Sequence, residues 1–197
     1  INPLNKTVTT VFDETLSSGE PNKGKYKRGM QLHEVTAVAR VLSKGSNRAV
    51  EAFYQDPERT WTSSPWKVLR AAVAEKGGLL TPALVFQYLG LAKACCIAGQ
   101  RAKDEFPRYL CMAQRFMMQA KRVVKGQVPS TNWLSSEELQ LLKDIKAGKI
   151  DMMGRSDAIL KDIKVLQAGL KGASSLPKID PTDVLNDWVL SLYKGML

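Results

Sequence analysis

Residues 81–126, TPALVFQYLGLAKACCIAGQRAKDEFPRYLCMAQRFMMQAKRVVKG, decide the fold. Thr81 followed by Pro82 reads as a helix N-cap with proline in the first turn, where a missing N–H costs nothing. From Leu84 to Gln100 the residues are apolar almost all round a helical projection. The run is too long for an ordinary strand, and it predicts the central helix of a folded core. A membrane span is disfavoured by Lys93 near its middle, because a lysine at the bilayer centre costs about 2.5–3.5 kcal/mol.

The next helix is predicted from Asp104, read as its cap, with Pro107 in the first turn. At 100° per residue Tyr109, Met112, Ala113, Phe116, Met117, Ala120, Val123 and Val124 share one side. Arg108, Arg115 and Arg122, spaced by sevens, fall within about 40° of one another on the opposite side, and Gln119 joins them. The methionines read as adaptable core filler.

Working outward, Ser135 and Glu138 form a capping-box signature that places a helix over 136–147. A further helix is predicted over 155–171, with Gly148 and Gly154 separating the two. LKDIK occurs at 142–146 and again at 160–164, two similar solvated helices rather than a solenoid repeat. Asp180 and Pro181 cap a last helix that carries Val184, Leu185, Trp188, Val189 and Leu192 on one face.

On the N-terminal side, helices are predicted over 65–76, 47–55 and from 31 to 42, the last with Leu32, Val35, Val38, Ala39 and Leu42 as its stripe and Gly45 as its stop. Residues 1–30 have no helical stripe, only a β-prone run at 7–12 and then turn formers and charge. The expected fold is all-α: an extended basic arm over 1–30, a helical core over 31–176 with seven or eight helices in all, and an amphipathic terminal helix over 177–197. The terminal helix would fold back on the core or dock on another subunit through Val184, Leu185, Trp188 and Leu192.

The formal charge of +10 is concentrated. Residues 21–50 hold seven cations (Lys23, Lys25, Lys27, Arg28, Arg40, Lys44, Arg48) against Glu34 alone, and residues 101–136 hold seven (Arg101, Lys103, Arg108, Arg115, Lys121, Arg122, Lys125) against Asp104 and Glu105. Two basic blocks in an otherwise balanced chain point to an anionic partner, nucleic acid or an acidic membrane surface. The competing explanation, ordinary solvated helix faces, applies to any charge run.

Chemistry-bearing motifs are scarce. GEPNKGKYKRG at 19–29 opens like a phosphate-binding loop, G-x-x-x-x-G-K. Such a loop needs a strand leading in, a helix leading out and Ser or Thr after the lysine. Tyr26 stands at that position, and the nearest strand-like run ends at Phe12. His33 is the one histidine, so paired-histidine zinc chemistry is excluded. Cys95, Cys96 and Cys111 lie in apolar helical sequence with no zinc-site spacing, which predicts buried free thiols in a reducing, intracellular compartment or a virion. No cofactor, metal or catalytic residue is expected. Residues 35–53 loosely resemble a helix-turn-helix, with a turn that looks too long and Lys44 where an apolar anchor is usual.

These readings favour a non-enzymatic packaging protein of nucleocapsid or coat type, coating single-stranded RNA and self-associating through its terminal segments. The expected RNA contacts are Lys23, Lys25, Lys27, Arg28, Arg48, Arg101, Arg108, Arg115, Lys121, Arg122 and Lys125, with base stacking on Tyr26, Trp61 and Trp66. The arginine row is the strongest of these, since on the helix projection it lacks acidic partners. The alternatives are a matrix or scaffold protein bound to acidic lipid and a helix-turn-helix DNA-binding regulator.

Overall fold

The computed structural model describes residues 8–12, 28–32, 35–55, 64–76, 78–129, 134–172, 176 and 180–194, the backbone alone for 8–12, 28–32 and 171–172. The fold is all-α, with eight α-helices among the described residues: α1 Val35–Ser43, α2 Asn47–Phe53, α3 Ser64–Glu75, α4 Pro82–Arg101, α5 Phe106–Val124, α6 Ser136–Lys146, α7 Met152–Gly172 and α8 Thr182–Lys194. Two short segments, β1 Val8–Phe12 and β2 Arg28–Leu32, pair antiparallel with Val8 opposite Leu32 and Phe12 opposite Arg28. The rest of the predicted arm lies outside the described residues. Leu32 therefore belongs to β2 and not to the stripe of the first helix, which starts only at Val35.

Several helix ends follow local chemistry. Thr81 Oγ1 accepts the Leu84 N–H at 3.3 Å, and Pro82 opens α4. Ser135 Oγ accepts the Glu138 N–H while the Glu138 carboxylate accepts the Ser135 N–H, the reciprocal pair of a capping box. Asp180 accepts the Thr182 hydroxyl and also its N–H, the latter at 2.9 Å, and these bonds, the hydroxyl's foremost, hold the Asp180 carboxyl below its ordinary pKa.

Two ends differ from expectation. Glu105, not Asp104, precedes α5, after a single 3-10 turn over Lys103–Glu105 that leaves Asp104 without a capping bond. α7 starts at Met152, ahead of the predicted 155, because Asp151 Oδ1 accepts the Gly154 N–H at 3.0 Å and so caps a turn that already includes the glycine.

The antiparallel pair α4 and α5 is the most extensive helix interface; α6 and α7 pack on α5, and α7 also reaches α4. At Gly99 of α4 a Cβ would meet Phe106 and Tyr109 of α5. The two LKDIK segments each bury their isoleucine, Ile145 and Ile163, in helices that both pack on α5.

At the other end, α1 and α3 hold α8. Leu185, Trp188 and Val189 are buried in the same apolar cluster as Leu42, Phe53 and Leu89, and Val184 and Leu192 pack against it. The four residues expected to mediate self-association are therefore engaged by the chain's own core. The reason is that α3 offers aromatic surface directly opposite, Trp66 lying edge-on to Trp188 at 6.0 Å.

Candidate nucleic-acid interface

The arginine row of α5 was expected to lack acidic partners, and in the structure each of its arginines has one. Arg115 Nη2 lies 3.4 Å from Glu51 Oε2 on α2, and Arg122 Nη2 donates to Glu138 Oε2 on α6 at 2.7 Å. Arg108 stands 3.5 Å from Glu105 one turn earlier, and Lys121 donates to Asp162 of α7 at 2.6 Å. α5 packs against α4, α6 and α7, so the part of its polar stripe near Arg122 meets a neighbouring helix, while Arg108 stays largely in solvent. Gln119, placed on that stripe by the projection, is fully buried.

These pairs are not equivalent. Arg108 is largely exposed, and such a pair adds about 0–1 kcal/mol. Arg122 is only 14% exposed, and its partner Glu138 also closes the α6 cap, so one carboxylate serves two structural bonds. Glu51 accepts from both Arg115 and the hydroxyl of the fully buried Tyr88, the latter at 2.8 Å. Burial, and then the adjacent Glu51 charge, push the Tyr88 phenol far above its ordinary pKa, so it stays a donor. The buried Arg115 Nε makes no hydrogen bond among the described residues.

Removing the Glu51 carboxylate leaves a buried phenol without its acceptor and a half-buried guanidinium without its counter-charge. Glu51→Ala is expected to cost about 2–3 kcal/mol in a urea melt, most of it from the orphaned Tyr88 hydroxyl. If that origin is right, Tyr88→Phe in the Glu51→Ala background restores part of the loss. Failure of that rescue would sink the assignment.

Of the stacking candidates, the described one, Trp66, turns inward. Trp66 is half-buried, edge-on to Phe53 at 5.5 Å as well as to Trp188, which makes it a core residue and not a free stacking platform. Tyr54 uses its hydroxyl to accept the Leu79 N–H at 2.9 Å, and burial raises its pKa. Lys23, Lys25, Tyr26, Lys27 and Trp61 lie outside the described residues, as does His33, and Arg28 opens β2.

Arg48, Arg101 and Lys125, together with Lys44 and Lys103, are exposed and make no ion pair among the described residues. Lys44 and Arg48 flank the turn between α1 and α2, which docks on the start of α4 through a bond from the Asn47 N–H to Gln87. That turn is three residues long, shorter than expected, with Gly45 at φ 65° and packed against Leu84. Arg101 and Lys103 lie at the opposite end of α4 and Lys125 just past α5.

Sequence reasoning took α4, apolar almost all round, to be the central helix of the core, and one side of it is buried there. It is long and apolar enough to cross a membrane by length and composition, and 44% of that window is buried inside the protein. The remaining face, with Phe86, Gly90, Lys93, Ile97 and Arg101, is exposed. The uniform apolar character of α4 concealed which side the neighbours would leave open.

Cys95 and Cys96 are buried and Cys111 half-buried; all three are free thiols whose pKa burial raises. Among the described residues no three His, Cys, Asp or Glu side chains converge to hold a metal ion. Compared with known proteins, the chain matches no family, no curated protein and no solved structure.

Proposed function

We propose that the protein is a non-enzymatic nucleic-acid-binding protein of packaging type that grips single-stranded RNA through phosphate contacts and associates with further copies of itself. The observation that carries this reading is the cationic excess: a chain of charge +10 in which Lys44, Arg48, Arg101, Lys103 and Lys125 stand exposed without acidic partners among the described residues. Exposed lysine and arginine without counter-charges displace condensed counterions from a phosphate chain, which makes binding favourable and salt-dependent. No bond is made or broken.

The three-residue turn between α1 and α2 gives the DNA-regulator reading specific support, since helix-turn-helix units use such turns, often with glycine. Against it, α2 directs Glu51 inward to Tyr88 and Arg115, and Val50 and Phe53 are buried, which leaves Arg48 and Ala52 as the main outward side chains. A recognition helix needs more base-reading groups than that.

The test is retention of single-stranded RNA and of duplex DNA on a filter across a salt series, beside flotation with vesicles rich in acidic lipid. RNA retention is expected to fall on a log–log plot with a slope of about 0.7 for each phosphate contact. Retention of one duplex sequence over others would favour the regulator, and flotation without RNA retention would favour a matrix protein. Because Arg115 and Arg122 are paired with Glu51 and Glu138 of other helices, Arg48, Arg101 and Lys125 are the positions whose neutralisation isolates binding.

A further inference from the structure

We infer that the exposed face of α4 is the track on which the RNA strand lies, with Lys93 and Arg101 contacting phosphates, Phe86 stacking on a base and Gly90 giving the strand close access to the helix. This rests on the RNA reading above and assigns a site to it.

Phe86, Gly90, Lys93, Ile97 and Arg101 recur at helical spacing, so they form one stripe about 20 Å long. All five are exposed, and α4 contains no acidic residue. Lys93 and Arg101 make no ion pair among the described residues, whereas the cations of the α5 row are matched by carboxylates. The stripe therefore has uncompensated positive charge beside exposed apolar side chains, Phe86 and Ile97 each 37% accessible. A phosphate chain with unstacked bases is complementary to both features, since it supplies negative charge and planar rings together.

Gly90 adds an independent observation. A glycine in a helix interior is destabilising by about 1 kcal/mol relative to alanine, a cost that is offset where a neighbour fills the space of the missing Cβ. At Gly99 the need is internal, because Phe106 and Tyr109 occupy that space. At Gly90 no atom of the described chain comes within 4 Å of a Cβ position. The space it leaves opens outward, in the middle of the stripe, where a partner can approach the backbone. At the start of α4 the exposed Arg48 extends the cationic surface, since its neighbour Asn47 bonds Gln87.

The experiment compares the full chain with three variants: Lys93→Gln/Arg101→Gln, Phe86→Ala and Gly90→Glu. Each is measured by RNA filter retention over a salt series and by thermal melting. Loss of two phosphate contacts should lower the salt slope by about 1.4. Loss of the stacking ring should weaken binding about tenfold. Gly90→Glu is the sharpest variant: it removes a helix-destabilising glycine and should melt no lower than the wild type, yet its carboxylate should repel the strand and abolish most retention. If the wild type retains RNA and all three variants retain it with the same affinity and slope, the α4 track is wrong while the RNA reading stands. If the wild type retains none, the RNA reading itself fails. Retained RNA binding together with vesicle flotation lost only in the variants would assign this face to lipid and overturn the proposal.

Discussion

Trp188→Ala is expected to lower the unfolding free energy by about 3–5 kcal/mol, seen as a lower urea midpoint at an unchanged slope. The indole is 8% exposed, and its Nε1–H donates to the Pro65 carbonyl at 2.9 Å. Its ring begins an aromatic series that runs across three helices: Trp188 to Trp66 at 6.0 Å, Trp66 to Phe53 at 5.5 Å and Phe53 to Tyr54 at 5.1 Å. Truncation removes the contact area and the Nε1–H bond and opens a cavity where α8 packs on α3. A loss below about 1 kcal/mol would mean that α8 is not held in this way. A midpoint that rises with protein concentration would show folding coupled to association, as exchange of α8 between copies through Val184, Leu185, Trp188 and Leu192 would produce.

Gly99→Val should cost about 3 kcal/mol by the same measurement. A Cβ there would lie 2.6 Å from Phe106 Cδ2 and 3.0 Å from Tyr109 Cβ, both well inside normal carbon contact. Since Gly99 and Phe106 are both buried where α4 ends and α5 begins, the helices must separate or the ring must leave its site. Valine adds two methyl groups to that overlap and recovers little of the helix propensity that alanine would. Gly90→Ala on the same helix is the matched control. With nothing within 4 Å, it should stabilise the protein by up to about 1 kcal/mol. Equal effects at the two glycines would contradict the packing described for α4 and α5.

The two glycines also show how much of this protein is legible in its residues. Both interrupt the same apolar run, and only their neighbours in space separate a packing requirement from an open site. Helix identities and caps were readable because they depend on atoms within one turn: Thr81 with Leu84, Ser135 with Glu138, Asp180 with Thr182. Asp151, three residues before Gly154, carried the same kind of signal for the start of α7, and the glycine was instead taken as a break. Leu32 fitted a helical stripe by period, but pairing with Val8 places it in a strand, and that bond partner is distant in sequence.

The sequence by itself determined an all-α chain, the order and amphipathicity of its helices, and its cationic excess, all of which follow from local backbone chemistry and composition. Tertiary structure alone decided which faces remain in solvent. A helical projection shows what lies opposite the apolar stripe of α5, but it cannot show that Glu51, 64 residues away from Arg115, or Glu138, 16 from Arg122, will arrive there. Nor can a helix that is apolar all round indicate its own open side. The connections between helices choose those partners, and that choice paired Arg115 and Arg122 of α5 with carboxylates of other helices while leaving Lys93 and Arg101 of α4 exposed.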